Sequence, residues 1–219
     1  MSDPDKLVNH LFCGRLQSEA RRVGFSLDAE QADSFRSYFE ILLRWDRKMN
    51  LTGLPLEGLP DRALNRLFIE PLQAAQVIED VSLRWFDIGS GGGSPAIPLK
   101  IVRPRLRLSL LEPRSKKAAF LREVVRSLEL TETDVLEVRI EDVRGYRAQV
   151  DLLTVRALRT DETFWQAAAT LLRIGGRLLM FGSKPLRRLR QDASFHLAEQ
   201  IKLTDGTSLL YVLRRVEIH

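Results

Sequence analysis

The stretch WFDIGSGGGSPAIPL, Trp85 to Leu99, restricts the fold more than any other part of the chain. An apolar run stops at an aspartate, four of the five residues Gly89–Gly93 are glycine, and a helical pattern follows from about Ser94. Strand, tight glycine turn and helix is the opening unit of a parallel sheet with crossover helices. After Ser82 the same alternation continues. Strands are expected at Arg84–Ile88, Leu106–Leu111, Asp134–Val138, Val150–Val155 and Gly176–Phe181, with helices around Ala96–Ile101, Ser115–Leu128 and Asp161–Leu172. His196–Leu203 and Thr207–Val216 flank Asp205-Gly206 and read as an antiparallel hairpin with a type I′ turn. The expected class is α/β: a Rossmann-like parallel sheet that finishes in a hairpin.

Upstream of Ser82 the patterns are helical. Phe35, Tyr38, Phe39, Leu42, Trp45 and Met49 recur at three- and four-residue steps, with Asp28 and Gln31 placed as a capping box. This aromatic stripe reads as core. NLTG, Asn50 to Gly53, and the Pro55/Pro60 stretch end that helix, and a second is expected over Asp61 to Glu79. Residues 1–81 are therefore taken as an N-terminal helical extension and 82–219 as the sheet domain.

The glycine turn identifies a class of ligand. Backbone N–H groups at a helix start face the crevice above the strand, and glycines let a ligand approach without a Cβ in the way. Glu112 closes the next strand nineteen residues past Gly93, the spacing of an acid that accepts both ribose hydroxyls. An adenosine nucleoside fits this arrangement. Gly91-x-Gly93-x-x-Ala96 also satisfies a dinucleotide fingerprint, but Asp87 lies two residues before Gly89, where a carboxylate suits a cationic methionine end and repels a pyrophosphate. A loop-bracing acid is the alternative reading of Asp87. After the third strand, Ile140 and Glu141 stand where acids meet an adenine amino group; Glu141 as a helix N-terminal carboxylate is the alternative. Gly89, Gly91, Gly93 and Ser94 complete the candidate set, and S-adenosyl-L-methionine is the expected cofactor.

Arg156, just past the fourth strand, would point into the same crevice, to pair with a carboxylate of the donor or to hold a base edge. It is the only candidate for a positioning role in catalysis. Other methyl-transfer chemistries leave signatures that are missing. Cys13 lies far upstream without a Pro-Cys context, which disfavours cytosine C5 addition, and DLLTVRALRT replaces the Asn/Asp-Pro-Pro-aromatic motif of amine methylation. Guanine N7 has an in-plane lone pair and no proton, so its methylation needs no general base. Composition agrees with an anionic partner: the net charge is +5, and 27 of 34 basic residues are Arg. Basic clusters occur at Arg103/Arg105/Arg107, Arg114/Lys116/Lys117 and Arg187/Arg188/Arg190, among which Lys116, Lys117, Arg187 and Arg188 are the expected RNA contacts. One cysteine and three scattered histidines give no metal spacing, and the first twenty residues carry charges without an apolar signal core. A cytoplasmic monomer, without metal or membrane association, is the expectation.

Taken together, RWDRKMNLTG (Arg44 to Gly53), FDIGSGGGSPAIPL, LLEPRSKKAAFLREV (Leu110 to Val124), RIEDV, TVRAL and the late GGRLLMFG resemble the ribosomal RNA small subunit methyltransferase G family, also called glucose-inhibited division protein B. The resemblance implies a class I methyltransferase fold with a helical extension, and methyl transfer from S-adenosylmethionine to N7 of a guanosine in 16S rRNA of the small ribosomal subunit or its precursor. It carries the donor site over to Gly89, Ser94, Glu112, Ile140, Glu141 and Arg156, and the basic pair to Lys116 and Lys117. The chain departs from the family's Arg-His-x-x-Asp-Ser at Arg66-Leu67-Phe68-Ile69-Glu70-Pro71. The residues alone leave the acceptor open: another RNA, a small molecule, or a non-catalytic RNA-binding role.

Overall fold

A computed structural model describes residues 4–182, 194–204 and 206–217. Two helices come first, α1 (Pro4–Arg22) and α2 (Ala29–Asp46). The α2 start is the predicted capping box: Asp28 Oδ1 accepts the Gln31 N–H at 2.8 Å, and Gln31 Oε1 accepts the Asp28 N–H at 3.2 Å. The helix expected over Asp61 to Glu79 is not continuous. It runs as α3 (Asp61–Leu64), a π-helical segment (Asn65–Ile69) and α4 (Glu70–Ala75). Periodicity of 3.6 could not register the wider π turn, which is a common local answer to a functional constraint.

The sheet follows: β1 (Arg84–Ile88), α5 (Ala96–Val102), β2 (Arg107–Leu111), α6 (Ser115–Ser127), β3 (Thr133–Leu136), a 3-10 turn (Ile140–Asp142), β4 (Val150–Arg156), α7 (Glu162–Leu171), β5 (Leu172–Gly182), β6 (Phe195–Lys202) and β7 (Leu209–Arg215). The strand order is β3-β2-β1-β4-β5-β7-β6, with β7 antiparallel to β5 and to β6. Helix α5 begins at Ala96, where the sequence places it, and two other expectations change in detail. β5 starts at Leu172, directly after α7, with a register irregularity against β4. The hairpin connection is longer than a two-residue type I′ turn: pairing ends at Lys202–Leu209, and the Leu203 N–H donates to the Ser208 carbonyl at 2.9 Å. Asp205 itself lies outside the described residues.

Side chains alternate across each strand, so the sheet has two buried faces. Trp85, Leu108, Leu110, Leu152, Leu179 and Phe181 pack toward α1, α2, α4, α5 and α6; Phe86, Ile88, Leu153, Val155 and Met180 pack toward α7. The N-terminal helices thus share one core with the sheet. Phe68, in the π segment, is its hub, packed edge-on against Phe12, Phe35, Tyr38 and Phe39.

Candidate donor-binding site

In a sheet of this topology the crevice opens at the carboxyl ends of β1 and β4, where the strand order reverses. The glycine turn lies there. Gly89 and Ser90 N–H groups both donate to the Leu111 carbonyl, and Gly93 N–H donates to Ser90 O at 2.7 Å. Gly93 has φ +87°, and a Cβ on it would come within 2.9 Å of Ile97 Cγ1 and 3.1 Å of Tyr38 Oη. A Cβ on Gly92 would meet Thr52 Cγ2 at 3.2 Å, a tight contact for which the threonine would have to shift. Gly93 is therefore the glycine that close approach of the neighbouring chain requires.

Tyr38 and the Asn50–Gly53 turn form the outer wall of the loop. Tyr38 Oη, fully buried, donates to the Gly92 carbonyl at 2.5 Å, and burial raises its pKa. Asp46 Oδ1 accepts the Leu51 N–H at 2.8 Å, shaping the turn that lies on Gly92. Glu123 on α6 takes Trp45 Nε1 at 2.8 Å and also pairs with Arg44, which anchors α2 to α6. The RWDRKMNLTG segment thus braces the glycine loop from one side and α6 from the other.

Two cavities meet at Gly89. One, of about 250 Å³, is walled by Ile88, Gly89, Leu111, Ile140, Glu141, Leu158 and Phe164 and is mostly apolar. The other, of about 190 Å³, is polar and is walled by Thr52, Arg66, Gly89–Gly92, Ser94, Lys117 and Arg156. Gly89, Gly91, Ser94, Ile140, Glu141, Lys117 and Arg156 are thereby brought together as cavity walls. Asp87, Gly93 and Glu112 line neither cavity and act beneath the loop. Glu112 Oε2 accepts the Gly91 N–H at 2.9 Å and Oε1 the Arg114 N–H at 3.0 Å, so its carboxylate fixes the turn. Asp87 is buried at 1% exposure, and its Oδ1 accepts the Thr154 hydroxyl at 2.5 Å. Burial raises its pKa to about 6, and the hydrogen bonds from Thr154 and Ser90 oppose the rise.

Arg156 is buried rather than a surface arginine. Its side chain is 7% exposed, and Nη2 lies 2.9 Å from Oε2 of Glu70, itself 1% exposed. Nη1 donates to the Arg66 carbonyl and lies 3.5 Å from Ser94 Oγ. The guanidinium carbon stands 4.4 Å over the Phe181 ring. Burial lowers its pKa to about 10, the Glu70 carboxylate opposing that shift, so it stays a cation at neutral pH. Ser94 Oγ donates to the Leu67 carbonyl at 2.8 Å. The π segment thus offers two of its carbonyls to the crevice.

The expected RNA-contacting residues divide. Lys117 stands beside the polar cavity, its Nζ 3.8 Å from where a Gly91 Cβ would be, and Lys116 is exposed next to it. Arg187 and Arg188, with Arg190, lie outside the described residues. Arg103 is half-buried and turned back onto the protein: Nε and Nη2 donate to the Ile78 and Ala75 carbonyls at 2.8 and 2.6 Å, and the guanidinium lies over Phe25. Arg107 opens β2, at the opposite end of the sheet from the crevice.

Sequence reasoning misses Tyr38, Thr154 and Glu70 as parts of the site. Tyr38 reads only as core, although a phenol on a buried stripe needs an acceptor. Glu70 does leave a signal, as the single charge in the apolar run Leu67–Leu72. Among the described residues there is no group of three or more potential metal ligands, and no helix is long and apolar enough to cross a membrane.

Residues 31–209 match the protein family described as rRNA small subunit methyltransferase G, GidB. The chain is 38% identical over 167 residues to ribosomal RNA small subunit methyltransferase G of Roseiflexus sp., covering 75% of this chain and 70% of that one. It is 31% identical over 215 residues to the protein of the same name from Pseudomonas putida, covering 95% of this chain and 98% of the relative. A crystal structure of a SAM-dependent methyltransferase from Aquifex aeolicus superposes with a TM-score of 0.57 at 15% identity, over 74% of this chain and 96% of that chain. At that identity the likeness speaks for the class I methyltransferase fold.

Proposed function

Because the chain belongs to the rRNA small subunit methyltransferase G family, we propose that it transfers a methyl group from S-adenosylmethionine to N7 of a guanosine in 16S rRNA. The observation that carries the reading is the pair of cavities joined at Gly89, in a chain of this family. An apolar slot beside a polar one fits a ligand with a flat base at one end and a charged amino acid at the other. S-adenosylmethionine, when bound, supplies an electrophilic methyl group on a sulfonium.

The protein's own residues bind, orient and exclude water. Ile140, Leu111 and Phe164 provide apolar walls for the adenine, with Glu141 beside them to accept its amino group. Glu112 holds the Gly91 and Arg114 amides from beneath and so sets the turn against which the ribose would lie. Arg156 and Ser94 suit the amino-acid end, and Asp87 adds a negative charge below it. N7 carries no proton, so the reaction calls for alignment and desolvation and not for a general base, consistent with a polar cavity whose walls hold no histidine. Lys116 and Lys117 at the rim supply phosphate contacts. The partner is the small subunit or its precursor, and we place the protein in the cytoplasm as a monomer.

The deciding experiment maps modified nucleotides of 16S rRNA by mass spectrometry, with and without the protein. One guanosine that gains a methyl group only with the wild-type protein supports the reading. An unchanged map, with no S-adenosylhomocysteine binding by calorimetry, overturns it.

A further inference from the structure

Polar contacts from the segment Asn65–Glu70 converge on one side chain of the crevice. Arg156 Nη1 donates to the Arg66 carbonyl, and Nη2 lies 2.9 Å from Glu70 Oε2. Ser94 Oγ joins the same segment at the Leu67 carbonyl. Among the described residues neither Nε nor Nη2 of Arg156 has a hydrogen-bond partner, Nη2 keeping only its ion pair with Glu70, although the side chain is 7% exposed and forms part of the polar cavity wall. A buried donor left unmade is costly unless a ligand completes it.

Two buried charges stay together only where geometry compensates their desolvation. Here the π segment provides that geometry. Its wider turn precedes Glu70, which sits at the start of α4 and reaches across to β4. Phe181 supports the guanidinium from below. With Nη1 held by the Arg66 carbonyl and Nη2 paired with Glu70, Nε keeps an unmade hydrogen bond on a residue that walls the polar cavity.

We propose that Glu70 is a positioning residue for the donor site: it fixes Arg156 so that the guanidinium receives the carboxylate of the donor's amino-acid end. This rests on the function proposed above. Glu70 touches no ligand itself and acts through Arg156.

Calorimetry with two probes tests the idea. S-adenosylhomocysteine carries the amino-acid carboxylate, and methylthioadenosine lacks it. Glu70→Gln, which keeps shape and removes charge, is expected to weaken S-adenosylhomocysteine binding about tenfold or more and leave methylthioadenosine binding unchanged. Glu70→Asp, which retains a carboxylate, is expected to recover part of the loss. In an Arg156→Gln background, Glu70→Gln should weaken binding no further. Equal losses for both probes, with a lowered melting temperature, assign Glu70 a merely structural role and overturn the proposal, as does unchanged binding of both. If Glu70→Gln does not fold, the decision passes to Glu70→Asp and Arg156→Gln: a loss confined to the carboxylate probe supports the proposal and an equal loss overturns it. Wild-type protein that binds neither probe overturns the proposed function and this inference together; wild-type binding with no discrimination by the variants overturns only the inference.

Discussion

Asp87 shows how burial turns a carboxylate at a strand end against the stability of the fold. Its ordinary pKa of 3.8 rises to about 6 on burial. Below about pH 3.8 the folded and unfolded chains are both protonated there, and no penalty exists. Between 3.8 and 6 the unfolded chain ionises first, so this group's stability contribution falls as pH rises, reaching a deficit of up to about 3 kcal/mol above pH 6. Asp87→Asn should therefore raise the melting temperature relative to wild type above pH 6 and leave it unchanged at pH 3.5. Melting curves across pH 3.5–8 check this, and a variant less stable at pH 7 would count against it. Thr154 explains why the carboxylate is tolerated at all: one hydroxyl stands against Asp87 Oδ1 while accepting Trp85 Nε1 at 2.9 Å. Asp87 and Glu112 could be picked out from their places at strand ends. Their actual partners could not, because a carboxylate's donor comes from a strand or turn remote in sequence.

Among elements, the glycine turn and α6 carry the clearest expectations. Gly93→Ala introduces a Cβ at φ +87° facing Ile97 at 2.9 Å and the Tyr38 hydroxyl at 3.1 Å. It should destabilise the protein by about 1–3 kcal/mol and weaken S-adenosylhomocysteine binding, read by denaturant melts and calorimetry on the same sample. Helix α6 starts with Ser115, Lys116 and Lys117, with no acid in its first turn and no side-chain cap. Cations at a helix N-terminus oppose the macrodipole, an arrangement that an RNA phosphate would relieve. Replacing both lysines by alanine should weaken rRNA binding and reduce its salt dependence, lowering the log–log slope by about 0.7 for each phosphate that the lysines neutralise. An unchanged slope in filter-binding titrations would remove these residues from the interface. Strands β1 and β4 and helix α6 were legible almost to the residue, because each has strong periodicity and a marked end. The π segment was not, since a pattern read at 3.6 residues per turn does not register a wider turn.

The whole molecule unfolds around a core that its helices and sheet hold in common. Phe68 is fully buried and packs edge-on against aromatic rings from both α1 and α2. Phe68→Ala should cost about 3–5 kcal/mol, and wild-type protein should melt in a single transition by both far-UV circular dichroism and tryptophan fluorescence. Two separated transitions would mean that the helical part folds independently. The alternation of strands and helices, the hairpin close, and the glycine turn with Asp87 and Glu112 at its strand ends were all determined by the sequence itself. Each depends on residues near one another in the chain or on a fixed periodicity. Only the tertiary structure decided that Tyr38 holds Gly92, that Arg103 holds the last carbonyl of α4, and that Glu70 meets Arg156 beneath the crevice. Those are long-range pairings of buried polar groups, and which donor finds which acceptor is set by how helices and strands pack, not by the order in which the residues are written.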